Sequence, residues 1–345
     1  MNRPRMVDVA RLAGVSQKTV SNVVNDYEHV SPQVRAKVQA AIDELGFVPN
    51  TTARTLRTGR TGIIALAVPN LSTPYFAELA QYVTEAAEKR GFTVLIDQTD
   101  GLEERERRIA EGRRRQVIDG LIFSPLAMSP ADIAAVAGST PTLLLGEKEL
   151  PASVDHVVID NVRAAREATE HLLHLGRRRI AAVGASRGRA PGTGSLRVQG
   201  YRDALTAAGL ADAAVTVPTS RLQRQSGVEA VETLFDDHPA PDALFCFNDL
   251  VALGALHALR LRGIRVPDDV AVVGFDDIEE ASYSNPTLTT VRPDKQGIAT
   301  TAVDVLVGRL NGSLQDEPYE RVLGHELVVR ESTGGHAPMP NVSPS

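Results

Sequence analysis

From residue 62 onward the chain alternates short apolar runs with amphipathic stretches, and few folds accept that alternation. The spacing predicts strands over 63–68, 94–96, 121–123, 143–145, 180–183, 243–247 and 270–275. Between them it predicts helices over 75–90, 103–116, 162–175, 196–208, 227–235 and 250–261. Repeated β-α units imply an α/β fold of doubly wound parallel sheets with helices on both faces. The pattern runs once, then restarts near residue 162, so two lobes are expected. Ligands of such sheets sit past the carboxyl ends of the strands, which points to a cleft between the lobes.

The loops at those ends carry the chemistry. The first strand is followed by Pro69–Thr73 and a helix start bearing Tyr75 and Phe76. The fifth is followed by a glycine-rich loop, 184–195, and then Arg197. Asn248 and Asp249 follow the next strand, and Gly274-Phe275-Asp276-Asp277 ends the last. An arginine, an amide and a carboxylate converging on one cleft suit a polyhydroxylated or heterocyclic ligand. Asp249 and Asp277 read as helix caps or hinge residues, since Asp is a preferred cap.

Nothing points to catalysis. The eight histidines show no HxxxH or HExxH spacing and the chain has a single cysteine, so neither a metal site nor a cofactor is expected. The 184–194 loop lacks the GK[ST] ending and the GxGxxG spacing of phosphate loops. The arginines of 105–115 alternate with glutamates, as on a solvated helix face.

Ahead of this body lies MVDVARLAGVSQKTVSNVVN, residues 6–25. It reads as two short helices around a tight turn at Gly14, with Val7, Val9, Leu12, Val20, Val23 and Val24 as apolar positions. Ala10 is small where the two helices would cross. Ser16 is a good N-cap, and the outer face of the second helix carries Gln17, Lys18, Ser21 and Asn22. These are hydrogen-bonding side chains of the kind that read base edges in a major groove. Ser31-Pro32 starts a third helix, with Val34, Val38, Ile42 and Leu45 on one stripe and Gly46 at its end. Asn50 can cap a short helix containing Arg54, Leu56 and Arg57, too short to persist alone in water. A leucine flanked by arginines on such a conditional helix suits a minor-groove wedge.

Charge is distributed accordingly. Residues 1–60 hold nine Lys/Arg against five Asp/Glu, a balance of +4, so the rest carries −10 of the net −6. A basic head on an acidic body is what a nucleic-acid module joined to another kind of domain shows. The lone Cys246, the lack of an apolar leader and the lack of a membrane-length apolar run imply a cytoplasmic protein. The expected organisation is a helix-turn-helix head over 1–49, a hinge helix and linker over 50–61, a two-lobed body over 62–330 and a disordered tail over 331–345.

The order of these parts resembles the lac repressor/gal repressor family of bacterial transcription regulators. The resemblance spans nearly the whole chain. Its carriers are the helix-turn-helix, LGFVPNTTARTLRTGRTGIIAL, PYFAEL, VIDG, IDN, FNDLVALGAL, and GFDD followed by PTLTTV. It implies a periplasmic-binding-protein-like pair of lobes and a homodimer on a pseudo-palindromic double-stranded operator. Ser16, Gln17, Lys18, Thr19, Ser21, Asn22, Asn50 and Arg54 then correspond to DNA-binding positions, with Leu56 the intercalating leucine. Arg197, Asn248 and Asp276 match effector contacts of sugar-responsive members, and Tyr75, Phe76, Thr193 and Leu222 match others near the ligand. Gly146 stands where some members place a ligand-binding aspartate, and Leu222 where several place an aromatic.

The expected function is a repressor whose operator affinity is set by a small molecule, a sugar, held between the lobes. The alternatives are the same architecture answering to a purine, nucleoside or other metabolite as corepressor, and a solute-binding protein. An enzyme is not expected.

Overall fold

The computed structural model describes residues 4–24, 27, 29–47, 60–111, 117–136, 140–146, 154–186, 192–237, 239–314 and 317–335. By internal contacts the chain divides into a unit up to Thr61 and a unit from Gly62.

The first unit is built on α1 (Met6–Ala13), α2 (Gln17–Val24) and α3 (Pro32–Leu45). Gly14 ends α1 in the left-handed region at φ 66°, and the Val15 N–H returns to the Ala10 carbonyl at 3.0 Å. That turn brings Val9 and Ala10 against Val20, Val23, Val38, Ala41 and Phe47 in one small core. Leu12, expected among the apolar contacts, is instead 45% exposed. The buried stripe of α1 runs through Met6, Val9, Ala10 and Ala13, and Leu12 lies roughly 100° around the helix from it.

The second unit contains two six-stranded sheets. The first comprises β1 (Ile63–Val68), β2 (Thr93–Gln98), β3 (Gly120–Phe123), β4 (Thr142–Leu145), β5 (Asp155–Ile159) and β11 (Glu320–Leu323). All its pairings are parallel, in the order β11-β5-β4-β3-β1-β2. Helices α4 (Pro74–Glu88), α5 (Glu103–Ala110) and α6 (Pro130–Val136) belong to this lobe. The second sheet comprises β6 (Ile180–Ser186), β7 (Val215–Thr219), β8 (Ala243–Cys246), β9 (Ala271–Phe275), β10 (Thr289–Pro293) and β12 (His325–Val328). Its order is β12-β10-β9-β8-β6-β7, parallel except where β12 pairs antiparallel with β10. Its helices are α7 (Asn161–His174), α8 (Thr193–Ala207), α9 (Arg224–Asp237), α10 (Asp249–Leu261) and the short α11 (Glu279–Tyr283).

The restart seen in the sequence is thus the passage into a second lobe, but the chain does not stay there. After β10 it returns to the first lobe, where α12 (Lys295–Asn311) packs on α4 and on β3, β4 and β5. It adds β11 to the first sheet and then crosses back as β12. Each of the three crossings turns on one residue: Asp160, Asp294 or Gly324. Two of them are tied together, since the Asp294 N–H donates to the Gly324 carbonyl at 3.1 Å. The largest apolar cluster runs through both lobes, from Ile64 and Leu66 to Tyr201 and Phe245.

The expected pattern stops at residue 275, and α12 was not among the predicted helices. Its buried face includes Ile298, Ala299, Ala302, Val303, Val305 and Leu306, leaving little polar surface from which to read a period. The expected tail boundary at 331 is corrected. Glu331–Thr333 form a 3-10 turn, with Ser332 and Thr333 buried. The Ser332 hydroxyl donates to the Val272 carbonyl at 2.6 Å. Polar composition suggested a solvated tail, whereas these hydroxyls are satisfied by the sheet. Residues 336–345 lie outside the described residues. The loop expected over 184–195 is also shorter, because β6 runs on to Ser186 and α8 begins at Thr193. Among the described residues no helix is long and apolar enough to cross a membrane.

Helices α9 and α10 approach at backbone distance. A Cβ on Gly254 would lie 1.8 Å from the Arg224 carbonyl oxygen, and one on Gly227 would lie 2.0 Å from that of Val251. Gly254→Ala should therefore force the pair apart and destabilise the second lobe by about 1–3 kcal/mol or more, as overpacking does. Denaturant unfolding followed by circular dichroism checks this; an unchanged midpoint would mean that the helices are free to separate.

Candidate functional site

The carboxyl ends of the second sheet and the start of α8 carry five of the predicted residues. Arg197 lies on α8 and is 7% exposed. Its Nε donates to Asn161 Oδ1 at 2.7 Å, and another guanidinium N–H donates to the Phe247 carbonyl. The guanidinium also stacks over the Phe275 ring, 3.4 Å from its centroid. Asn248, next to Phe247, caps α10 through Oδ1, which accepts from the Val251 N–H at 2.9 Å. Its Nδ2 donates to the Leu222 carbonyl at 3.1 Å. The amide expected as a mixed donor and acceptor therefore keeps one N–H to offer a ligand. Leu222 stands beside Gly184 and is 38% exposed. Thr193 opens α8, one helical turn before Arg197.

Asp276 completes the set. It is 8% exposed, and its carboxylate accepts no hydrogen bond from the described residues. Burial pushes this carboxyl up to about 7, against the opposing pull of the Arg197 and Lys295 charges. A buried acceptor without a protein donor is costly unless a ligand or water supplies one.

The backbone around Asp276 is held at every N–H. Asp276 and Asp277 adopt φ of 112° and 46°, a region that L residues enter only when their surroundings hold them there. The Asp276 N–H donates to the Val291 carbonyl at 2.8 Å. That of Asp277 reaches Thr290 Oγ1 at 3.3 Å, and that of Ile278 reaches Asp249 Oδ2 at 2.9 Å. Thr290 Oγ1 in turn donates to Asp249 Oδ1 at 2.6 Å. Asp249 is therefore not the helix cap, a task that Asn248 performs. It is a fully buried anchor for the 276–278 ledge, and burial, reinforced by the Asp276 charge, holds its carboxyl well above the usual range. The Asp277 carboxylate pairs with Arg330 at 2.7 Å and with Arg292 at 3.5 Å.

The first lobe supplies the other wall. Tyr75 and Phe76 form an edge-to-face pair at the start of α4, with ring centroids 5.2 Å apart. Glu78 on the same helix pairs with Lys295 at the start of α12, and the charges of both reach Asp276. Sequence reading missed this pair, since Glu78 and Lys295 are 217 residues apart. A cation at a helix N-terminus, where the dipole disfavours it, was the one local signal. Gly146 adopts φ 94°, and a Cβ there would lie 4.0 Å from Ser124 Oγ.

On the head, Ser16 Oγ accepts from the Thr19 N–H at 3.1 Å and bonds Thr19 Oγ1 at 2.9 Å, so both hydroxyls serve the cap. Gln17 and Lys18 are exposed, and Ser21 and Asn22 half-buried, along one side of α2. Gln17, Lys18 and Asn22 make no side-chain hydrogen bond among the described residues. Asn50, Arg54 and Leu56 lie outside the described residues.

A small helix-turn-helix followed by a two-lobed, periplasmic-binding-protein-like body defines a class, the ligand-responsive transcription regulators. Known proteins of that class match the chain. The family model of bacterial regulatory proteins, lacI family, matches residues 5–50, and that of the periplasmic binding protein-like domain matches residues 169–333. The transcriptional regulator CelR of Thermobifida fusca is 38% identical over 96% of this chain and 98% of its own length. A solved CelR–cellobiose complex superposes with a TM-score of 0.70 at 35% identity, over 96% of this chain and 100% of the other. The lac repressor dimer bound to operator and the anti-inducer ONPF gives 0.83 at 28% identity, over 96% of this chain and 99% of the other. The chain belongs to the lacI family of bacterial regulatory proteins: it is a DNA-binding transcription regulator and not an enzyme.

The state of Asp276 yields a pH prediction. Its folded value of about 7 lies above the ordinary 3.8, so between those values the folded protein holds the extra proton. Stability should therefore fall as pH rises through that window. Asp276→Asn should stabilise the unliganded protein at pH 8 by a few kcal/mol, because each pH unit separating the folded and unfolded values is worth roughly 1.4 kcal/mol. At pH 5, only about one unit above the ordinary 3.8, the same substitution should stabilise by well under half as much. Urea unfolding at both pH values checks this; an equal effect at both would show that the carboxylate is not penalised.

Proposed function

We propose that the protein is a homodimeric, cytoplasmic repressor that binds a pseudo-palindromic operator and releases or grips it according to a sugar held between its lobes. The observation that carries the ligand part is the Asp276 carboxylate, buried and accepting no hydrogen bond from the described residues, beside Arg197. Sugar hydroxyls donate to such a carboxylate and accept from the remaining N–H of Asn248. The aromatic pair Tyr75 and Phe76 offers an apolar surface to a sugar ring. The solved complex of CelR with cellobiose supports this choice of ligand class.

The DNA part rests on α2, whose Gln17, Lys18, Ser21 and Asn22 are placed to read base edges, with Ser16 and Thr19 at its start. On this reading Asn50, Arg54 and Leu56, which lie outside the described residues, are the hinge positions that would meet the minor groove. Dimerisation is supported by the edge of the first sheet. Strand β2 is an edge strand with Ile96 40% exposed, and Leu71, Leu102 and Leu126 are exposed near it. An apolar open edge is a liability that a second copy would cover. Lobe closure then changes the spacing of the two linkers and so decides whether paired hinge helices form.

In a thermal-shift screen against sugars, sugar phosphates and purines, one sugar should raise the melting temperature of the wild type and leave Asp276→Ala unmoved. A purine as the sole hit would replace the ligand class, and a hit shared equally by the variant would remove Asp276 from the site. On DNA, Gln17→Ala should cost about 1–3 kcal/mol on operator and little on random sequence. Leu56→Ala should likewise weaken operator binding far more than non-specific binding. Equal losses on both DNAs, read by fluorescence anisotropy, would argue against base reading and against the wedge.

A further inference from the structure

We propose that Lys295 is the positioning residue that ties the effector-facing ledge of the second lobe to the first lobe, so that a ligand taken by Asp276 sets lobe closure through the neighbouring Asp277 carbonyl. The proposal rests on the effector reading of Asp276 given above, and adds to it the route by which occupancy is felt.

Lys295 begins α12, a helix of the first lobe, immediately after the second of the three crossings. Its side chain is only 8% exposed. It pairs with Glu78 on α4, in the same lobe, and donates to the Asp277 carbonyl of the other lobe at 3.0 Å. No local reason favours a lysine there. A cation at a helix N-terminus opposes the helix dipole, and a buried ammonium is expensive unless paired. The position is explained by its two partners, one in each lobe.

Asp277 is a stiff receiver for this contact. The N–H groups of 276, 277 and 278 are all anchored, and the Asp277 carboxylate is held by Arg330 and Arg292. The ledge therefore moves as a unit with Asp249 and β10. One peptide separates the carboxylate that faces the cleft from the carbonyl that Lys295 grips. A displacement or a change of charge at Asp276 reaches Lys295 both through that peptide and directly across the cleft. Glu78 completes the link, since it fixes the ammonium to the helix that carries Tyr75 and Phe76.

Hydrogen–deuterium exchange on the unliganded full chain tests the latch. Lys295→Met and Glu78→Gln should each speed exchange about tenfold in peptides covering 276–278 and 293–296, while peptides of β8 keep their protection. Lys295→Arg, which retains charge and donors, should stay near wild type. Wild-type protection of both peptides in Lys295→Met or in Glu78→Gln, with β8 intact, would overturn the proposal, as would a Lys295→Arg variant as fast as Lys295→Met. If Lys295→Met unfolds β8 as well, Glu78→Gln decides, because it leaves the lysine in place. No ligand enters this measurement. An empty sugar screen would overturn the effector reading alone, while the latch stands or falls on the exchange data.

Discussion

The chain passes between its two sheets three times, each time through one residue, and the rest of the body depends on that constraint. Asp160 and Asp294 each cap the helix that follows, accepting from the Arg163 and Gly297 N–H groups at 2.9 and 2.8 Å. The crossings are thus short and stiffened on their exit side, which leaves few soft dihedrals between the lobes. A small change at the cleft is then expressed as a motion of one lobe against the other rather than absorbed in a loose linker.

The cleft follows from the same arrangement. Parallel strands of both sheets deliver their carboxyl ends, and the loops and helix starts there carry Arg197, Asn248 and Asp276 from one lobe and Tyr75, Phe76 and Glu78 from the other. Most of these polar groups are already committed to the protein. Arg197 is engaged by Asn161, Phe247 and Phe275, and Asn248 by Leu222 and Val251 with one N–H left for a ligand. Asp276 stands apart, since burial raises its carboxyl and no hydrogen bond from the described residues satisfies it. Functional groups held ready in this way are expected to cost stability until a ligand binds.

Local pattern made much of this legible. The β-α alternation located seven strands as far as Phe275 but passed over β5 and β7. Gly14, Ala10 and Val20 specified the turn and helix crossing of the head. The loops after the strands named the residues that the structure gathers on the cleft. Where the reading failed, the signal was absent or misleading. Leu12 was counted inward although the stripe of α1 passes it by. The hydroxyl-rich end at Ser332 and Thr333 looked solvated because composition does not reveal that backbone carbonyls of the sheet satisfy it. Helix α12 hid its period because it is covered on most of its surface.

What the sequence determined by itself is therefore the fold class, the identity of the head and the candidate ligand residues, since each is written in short-range spacing and capping. What only the tertiary structure decided is the path of the chain after β10, the anchoring of the 276–278 ledge by Asp249 and the pairing of Lys295 with Glu78. Those depend on contacts between residues far apart in the chain, 217 positions in the last case. Periodicity carries no record of such contacts, because a side chain's spacing reports which face it occupies and not which distant partner that face will meet.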